Sequence, residues 1–386
     1  MTVADLVQKN KGDCCGCYAC KNICPVNAVV FDYDDEGFWY PTVKSGICVN
    51  CGKCVVVCPC INKPTNHSVK CSFACNIKNH SELLKSSSGG AFAEMARSVL
   101  RRGGFVCGAA FDDDFNVQHM IIESEDDLTK LRGTKYVQSK IGAVLLEIKE
   151  LLENNKKVLF SGTPCQVAGL NTFLEKEYDN LITVDLICHG VPSPGIWQEY
   201  LKQLTNGDTL LEVNFRNKEN GISNATIEFV FESGKVQKCS YAEDSFIKGF
   251  LKNYYLRPSC FECKFKGFNR CSDITIGDFW AVKEYYPDFN SQFGTSAVII
   301  RTNKGLDLFE SVSDNLNVIP VNEEHFAVWN ECLLKSVKHT KKREDFYNRY
   351  GNIEFVELIN ELASTEDTEN TKKSFFAKVK NKLWSN

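Results

Sequence analysis

From residue 91 onward the apolar positions of the chain alternate between two periods. Phe92, Met95, Ala96, Val99 and Leu100 share one face of a helix that Gly103-Gly104 ends. Phe105 to Phe111 reads as a strand, and after an acidic loop Val144, Leu145, Ile148, Leu151 and Leu152 return to helical spacing. Val158-Leu159-Phe160 is a buried strand, Ser161 to Cys165 a turn into a helix, and Leu181 to Ile187 the next strand. Thr163 suits the N-cap of that helix and Pro164 its first position. Strand, helix and strand at this spacing predict a right-handed crossover between parallel strands. Ile196, Tyr200 and Leu204 mark a further helix. Alternating segments near 210–217, 224–232 and 235–241 predict an antiparallel meander, the last two joined through Ser233-Gly234. Asp273 to Trp280 is again strand-like.

Residues 61–85 are polar and mixed, and 65–85 is expected to be a linker crossing the surface of the next domain, with Cys71 and Cys75 as free thiols. At 386 residues the chain is long enough for a sizeable core beyond any small N-terminal domain. A formal charge of -4 and the lack of a dense basic patch in the body argue against nucleic acid as a partner. No run reaches the about 18 apolar residues a membrane span requires. Twenty cysteines without a signal peptide, most of them at metal-type spacings, point to a reducing cytoplasm.

The cysteines carry the chemistry. Cys14-x2-Cys17-x2-Cys20-x3-Cys24-Pro25 recurs 34 positions later as Cys48-x2-Cys51-x2-Cys54-x3-Cys58-Pro59. A 4Fe-4S cubane takes four thiolates, three from one short loop, and in the two-cluster pattern the fourth comes from the cysteine before proline in the opposite run. That assigns Cys14, Cys17, Cys20 and Cys58 to one cluster and Cys48, Cys51, Cys54 and Cys24 to the other, leaving Cys15 and Cys60 over. Zinc is the alternative, because it also takes four cysteines. Two runs of four with the same Cys-Pro end favour clusters. Residues 9–62 resemble bacterial 2(4Fe-4S) ferredoxins.

Further along, Cys165 and Cys188 both stand just past the C-terminal ends of the predicted parallel strands, where open α/β sheets bind ligands. Arg257-Pro258-Ser259-Cys260-x2-Cys263 adds two more cysteines, which makes the four that a third cubane needs. Cys271 competes for one corner, and zinc or no metal stays open here. Ser86-Ser87-Ser88-Gly89-Gly90 at a helix start is a natural anion seat, or else ordinary capping. Arg132-Gly133-Thr134-Lys135-Tyr136 offers a cation and a ring to a cofactor, or is a plain turn. His189, next to Cys188, is a candidate proton donor or a hydrogen-bond partner near the cysteines. Asp278 is a cofactor contact or a helix cap.

Ser87-Ser88-Gly89-Gly90, Arg132 to Tyr136, Gly162-Thr163-Pro164-Cys165-Gln166, Cys188-His189-Gly190-Val191-Pro192, Phe215-Arg216-Asn217-Lys218 and Asp273 to Trp280 occur in the order found in the family of coenzyme F420 hydrogenase and dehydrogenase beta subunits. From about residue 86 to 310 the chain resembles that family, and with the ferredoxin segment in front it is most similar to the bacterial members. The resemblance implies an iron-sulfur flavoprotein that binds FAD beside a cubane cluster and exchanges hydride with an organic acceptor. The deazaflavin F420 is one such acceptor in the family and a chlorophyll intermediate of plants another. Ala281 after Trp280 and Thr134 depart from the family pattern, and no deazaflavin-specific contact carries over. Many bacterial relatives accompany surface-polysaccharide genes, which opens that pathway as a source of the acceptor.

The expected fold class is therefore an α+β ferredoxin-like 2(4Fe-4S) domain over 1–64, then the 65–85 linker. A larger mixed α/β domain with parallel and antiparallel strands follows over 86–363, and an acidic spacer with a basic amphipathic tail over 364–386. Cubanes move single electrons, whereas most metabolites exchange two, and a flavin joins the two regimes. The expected path runs from two N-terminal 4Fe-4S clusters through a third at Cys165, Cys188, Cys260 and Cys263 to FAD. The flavin's phosphates would lie on Ser87, Ser88, Gly89, Gly90 and Lys135, with Thr134, Tyr136, Thr163 and Asp278 beside the site. A redox partner protein or ferredoxin and an organic acceptor are the expected partners. Lysines and apolar residues alternate over 372–384 in a pattern suited to peripheral contact with the inner membrane face or to docking on protein. Two readings compete with this one: a non-catalytic electron-transfer subunit that feeds a partner enzyme, and a flavin-free redox-sensing or structural iron-sulfur protein.

Overall fold

The computed structural model describes residues 2–364. In chain order its strands are β1 (Val29–Tyr33), β2 (Trp39–Val43), β3 (Cys71–Ile77), β4 (Phe105–Phe111), β5 (Val117–Ile122), β6 (Val158–Gly162), β7 (Leu181–Leu186), β8 (Leu210–Asn217), β9 (Thr226–Phe231), β10 (Val236–Ser240), β11 (Ile274–Asp278), β12 (Ser296–Ile300) and β13 (Leu316–Pro320). Eight of them form one mixed sheet in the order β13-β3-β12-β11-β7-β6-β4-β5. Its centre, β11-β7-β6-β4, is parallel, and antiparallel strands flank it on both sides.

The β6 sequence explains its central place. Val158, Leu159 and Phe160 are all fully buried, the continuous apolar run of a strand covered on both faces. Successive side chains point to opposite sides. Leu159 joins the core under the Ala91–Arg101 and Asn303–Glu310 helices, while Val158 and Phe160 pack with the Val144–Glu153 and Pro164–Leu174 helices. The crossover from β6 through Pro164–Leu174 to β7 forms as expected, started by a capping box between Thr163 and Gln166 with proline in the first turn. β8, β9 and β10 make the predicted meander. It closes over an aromatic core that includes Trp197, Tyr200, Phe215, Phe246 and Tyr255.

Cys71–Ile77 corrects the linker expected over 65–85. The segment is a strand inside the large sheet, paired with β12 on one side and β13 on the other, and Cys75 is fully buried. Its apolar signal is diluted by Ser72 and Asn76, which find partners within the sheet layer: Ser72 donates to Val321 O, and Asn76 Oδ1 accepts from Asn317. The His80–Leu84 helix follows, capped by Asn79.

In the N-terminal segment each cysteine run turns through a left-handed residue, Tyr18 (φ 64°) or Gly52 (φ 73°), into a one-turn helix, Ala19–Asn22 or Lys53–Val56. The β1-β2 hairpin lies between the two runs. Cys15, Cys17, Tyr18 and Trp39 pack against the Val144–Glu153 and Pro164–Leu174 helices, which seats this segment on one face of the sheet. The spacer at 366–369 and the basic stretch at 372–384 lie outside the described residues, among which no helix is long and apolar enough to cross a membrane.

Candidate functional site

The two N-terminal cysteine runs fold across one another. Cys24, from the first run, lines a cavity together with Cys48, Cys51 and Cys54 from the second. Ala28 N donates to Cys24 Sγ at 3.2 Å. Desolvation pushes the Cys24 thiol up, but the backbone N–H groups of residues 26–29 outweigh it and leave the pKa below its ordinary value. Such a nest of N–H groups suits a thiolate. In the complementary set, Cys20 has Cys17 and Cys14 as charge neighbours, and Cys58 has Cys17. Burial drives Cys20 well above the usual thiol range. Buried sulfurs at this density are poor free thiolates and good ligands, because a bound metal supplies the charge that desolvation removes.

A third group of cysteines comes from three separate segments. Cys165 begins the helix after β6, Cys188 follows β7, and Cys260 and Cys263 sit on the turn after Arg257; all four line one cavity, which Cys15 and Cys60 of the N-terminal segment also line. The pair left over in the sequence thus stands between two groups of four. Hydrogen bonding with Cys15 and then Thr163 holds the Cys165 thiol below its usual pKa, and the Thr163 hydroxyl is 3.2 Å from its sulfur. Burial pushes Cys188 well up and Cys260 up to about 12. Cys60 is pulled down by hydrogen bonds from Cys15 and Cys58. Cys271, the competitor for a corner, is buried against Asn171, which donates to its carbonyl at 2.9 Å, and it lines a separate neighbouring cavity.

His189 lies on the wall of the third cavity, with Nε2 2.7 Å from Asn253 Oδ1. Desolvation lowers its pKa, so the ring is held neutral. It meets Phe250 edge to face at 5.3 Å between centroids, and Phe250 in turn lies 5.0 Å from Tyr136. This aromatic contact leads from the cysteine cavity to the serine-glycine loop.

At that loop the Ala91–Arg101 helix starts from Gly90 in a left-handed conformation, with no side-chain cap. The seryl hydroxyls are not caps either: Ser86 donates to Glu82 O and Ser88 to Thr295 O. Arg216 donates to Ser87 O at 3.1 Å and Lys218 to Ser88 O at 2.5 Å. Because the trans peptide sets N–H opposite C=O, the Ser88 and Gly89 N–H groups are turned away from these cations. Gly89 has no room for a side chain, since a Cβ there would stand 2.2 Å from Cys75 O. Asp278 is neither a free carboxylate nor a cap: both its oxygens accept from Arg216, at 2.9 and 2.8 Å. Arg216 also reaches the Tyr136 hydroxyl, and its guanidinium carbon lies 5.9 Å from the centre of the exposed Trp280 ring.

Lys218 is 1% exposed, and its ammonium is held by the Ser88 and Phe293 carbonyls. Desolvation pulls its pKa down to about 7. Half-buried Lys135 is lowered to about 7 by the same cause and donates to Arg132 O and Gly133 O. Thr134, beside it, is half-buried. Arg132, Lys135, Arg216 and Lys218 face two carboxylates, Glu82 and Asp278. Both arginines are thus paired and both lysines held by carbonyls, so what the loop offers an anionic group is the N–H side of the helix start. Arg216 and Lys218 were inside a motif that the sequence displayed, yet nothing in their spacing announced that they turn inward under the loop. Arg257 and Gln138 at the cysteine seam were missed for the same reason.

Residues 155–324 match the family model for the C terminus of the coenzyme F420 hydrogenase/dehydrogenase beta subunit, and residues 13–62 match a 4Fe-4S dicluster domain. The chain is similar to the F subunit of the F(420)H(2) dehydrogenase of Methanosarcina mazei, at 23% identity over 82% of this chain and 86% of the relative. It is also similar to the coenzyme F420-dependent sulfite reductase of Methanocaldococcus jannaschii, at 24% identity over 80% of this chain, spanning 52% of that protein. Among solved structures, a chain of the F420-reducing [NiFe] hydrogenase complex from Methanosarcina barkeri is similar at 18% identity, with a TM-score of 0.46, over 74% of this chain and 92% of that one.

Proposed function

We propose, on the premise that this chain belongs to the family of coenzyme F420 hydrogenase and dehydrogenase beta subunits, that it passes electrons between ferredoxin-type 4Fe-4S clusters and an FAD serving an organic acceptor. The observation that carries this reading is that Cys165, Cys188, Cys260 and Cys263 line one cavity together with Cys15 and Cys60 of the N-terminal segment, with Cys15 within hydrogen-bond reach of Cys165. Sulfur sites arranged this way suit a relay rather than isolated structural metals.

In this reading Cys14, Cys17, Cys20 and Cys58 hold one cluster, Cys24, Cys48, Cys51 and Cys54 the second, and the four cysteines of the seam cavity the third. When bound, clusters supply one-electron transfer and a flavin supplies two-electron or hydride exchange. Ser87 to Gly90 and Lys135 bind the flavin's phosphates, while Arg216 and Lys218 keep the loop's carbonyls turned inward. Thr134, Tyr136 and Asp278 complete the surroundings, whereas Thr163 stands at the cysteine cavity, bonded to Cys165 and Gln166. His189 donates its Nε2–H to Asn253, so it can give a proton at the edge of the site only after Nδ1 has first taken one up from solvent or a partner. Relatives named for F420-dependent enzymes make coenzyme F420 the first acceptor to try, and a redox partner protein the expected donor.

Anaerobic purification with quantified iron, sulfide and acid-released flavin tests this directly. About twelve irons and one FAD per chain are expected for three cubanes. About eight irons without flavin would remove the third site and the hydride chemistry together. One relative is named as one subunit of its dehydrogenase, which favours a second reading. Full cofactor content without turnover of F420 or other hydride acceptors, until a partner protein is added, would assign the chain to electron transfer within a larger enzyme.

A further inference from the structure

Arg257 is fully buried, and no carboxylate is among its hydrogen-bond partners in the described residues. Its Nε donates to Cys14 O at 2.8 Å and its Nη1 to Gln138 Oε1 at 3.0 Å. Its Nη2 donates to Trp39 O at 3.1 Å and points at Cys14 Sγ at 3.6 Å. The Tyr40 ring centre is 4.1 Å from the guanidinium carbon and that of Phe38 5.4 Å. Of the other buried arginines, Arg270 pairs with Asp185 and Arg343 with Glu36, while Arg301 is held by the Phe268 carbonyl and the Ser272 hydroxyl; Arg257 differs from Arg301 in lying against a cysteine sulfur. A buried guanidinium without an anion costs several kcal/mol, so a compensating charge belongs beside Arg257.

The surroundings name that charge. The Cys14–Cys17 turn is moulded on the guanidinium: Gly16 has φ +70°, and a Cβ there would stand 3.2 Å from Arg257 Cζ and 2.5 Å from Gln138 Nε2. On its other side Arg257 opens the turn that carries Cys260, whose N–H donates to Arg257 O at 2.9 Å, and it lines the seam cavity.

We infer that Arg257 is the counter-charge of the iron-sulfur relay, a positioning residue that raises the reduction potential of the cluster held by Cys14, Cys17, Cys20 and Cys58. This rests on the cluster assignment proposed above. A four-thiolate cubane gains negative charge on reduction, and a buried cation at its ligand favours the reduced form. The Nη2–H toward Cys14 Sγ acts in the same direction, because hydrogen bonds to the sulfurs are among the factors that set the potential.

The test is an EPR-monitored redox titration of the full-length, cluster-loaded protein, with the signal assigned by its loss in Cys14→Ser. Arg257→Gln removes the charge. Gln138→Glu leaves the arginine in place and neutralises it with a near-isosteric carboxylate on Nη1. Both are expected to make the Cys14 cluster at least tenfold harder to reduce at a fixed potential, a fall of about 59 mV in its midpoint. Arg257→Lys should stay closer to wild type than Arg257→Gln, and the cluster of Cys24, Cys48, Cys51 and Cys54 should not shift. Unchanged midpoints at full iron content in the two neutralising variants overturn the inference while leaving the relay intact. If Arg257→Gln does not load iron, Gln138→Glu decides between the same two outcomes. A wild-type protein with no N-terminal cluster signal overturns the relay reading itself, and the inference with it.

Discussion

The N-terminal segment and the eight-stranded body are held together by different physics. In the body, apolar residues from all eight strands of the large sheet and from three helices form one continuous core, with Val106, Leu159, Val184, Ile274 and Val298 within 2% of full burial. The segment before residue 63 has one helix of seven residues, Val3–Lys9, two one-turn helices, a single hairpin and a small apolar cluster of its own around Val3, Cys20 and Val29, while Tyr18 and Ala19, among its most buried side chains, pack on the body. A chain this short does not bury enough surface to fold by burial alone and commonly recruits a metal. Apolar burial thus carries the body, while the cysteine-rich segment rests on the body and, on the cluster assignment proposed above, on its metal ligands.

Iron removal separates the two regions most strongly. Anaerobic chelation is expected to abolish protease resistance between the first cysteine run and residue 62 while the large sheet survives, as read by limited proteolysis with mass spectrometry and by far-UV circular dichroism. An iron-free protein whose N-terminal segment still resists protease would show that packing of Tyr18 and Trp39 on the body suffices, and the contrast would collapse.

The same contrast decides what was legible in the sequence. Cysteine spacing is rigid, so the two runs could be read across one another, and Cys24 lines one cavity with Cys48, Cys51 and Cys54. Periodicity exposed the central strands and the meander because those residues have no choice of face. It missed β3, where Ser72 and Asn76 interrupt the pattern and find their side-chain partners 241 to 251 residues away. Asp278 illustrates the remaining limit. Cofactor contact and cap were both reasonable from its place at a strand end, but its partner, Arg216, is 62 positions distant and on another sheet. Cys15 and Cys60 had no motif of their own, and only the fold sets them between two groups of four.

A core substitution probes the body from the other side. Phe160, fully buried on β6, packs among Cys107, Leu145, Ile148 and Leu170. Phe160→Ala is expected to cost about 3–5 kcal/mol of unfolding free energy, measured by anaerobic urea denaturation. Iron content should stay at the wild-type value in the folded protein. Loss of iron in step with the lost stability would mean that the clusters depend on the body's packing, and that the two regions are one cooperative unit.

The smallest expected effect is a proton equilibrium within the body, beside the turn that carries Cys165. His119 is 7% exposed, stacks near Phe160 and is fixed at both nitrogens: Nε2 donates to Ser161 O at 3.0 Å, and Nδ1 accepts from the Ser139 hydroxyl at 2.6 Å. Ser139 is held by Gln166, the residue that also caps the Thr163-Cys165 turn. Desolvation lowers the His119 pKa from 6.5 to about 4. Between those values the unfolded chain takes up a proton that the folded protein refuses, so stability is lost as pH falls. The loss begins near pH 6.5, is on the order of 2 kcal/mol at pH 5 and is complete near pH 4. Carboxylates and clusters contribute their own acid dependence, common to wild type and His119→Gln. The readout is therefore the difference between the two proteins in urea denaturation at pH 7 and pH 5, where the gap between them should narrow by that amount in favour of the glutamine. A gap that does not change with pH would mean that the folded protein tolerates a charged His119, and that the turn carrying Cys165 is looser than the buried network around it implies.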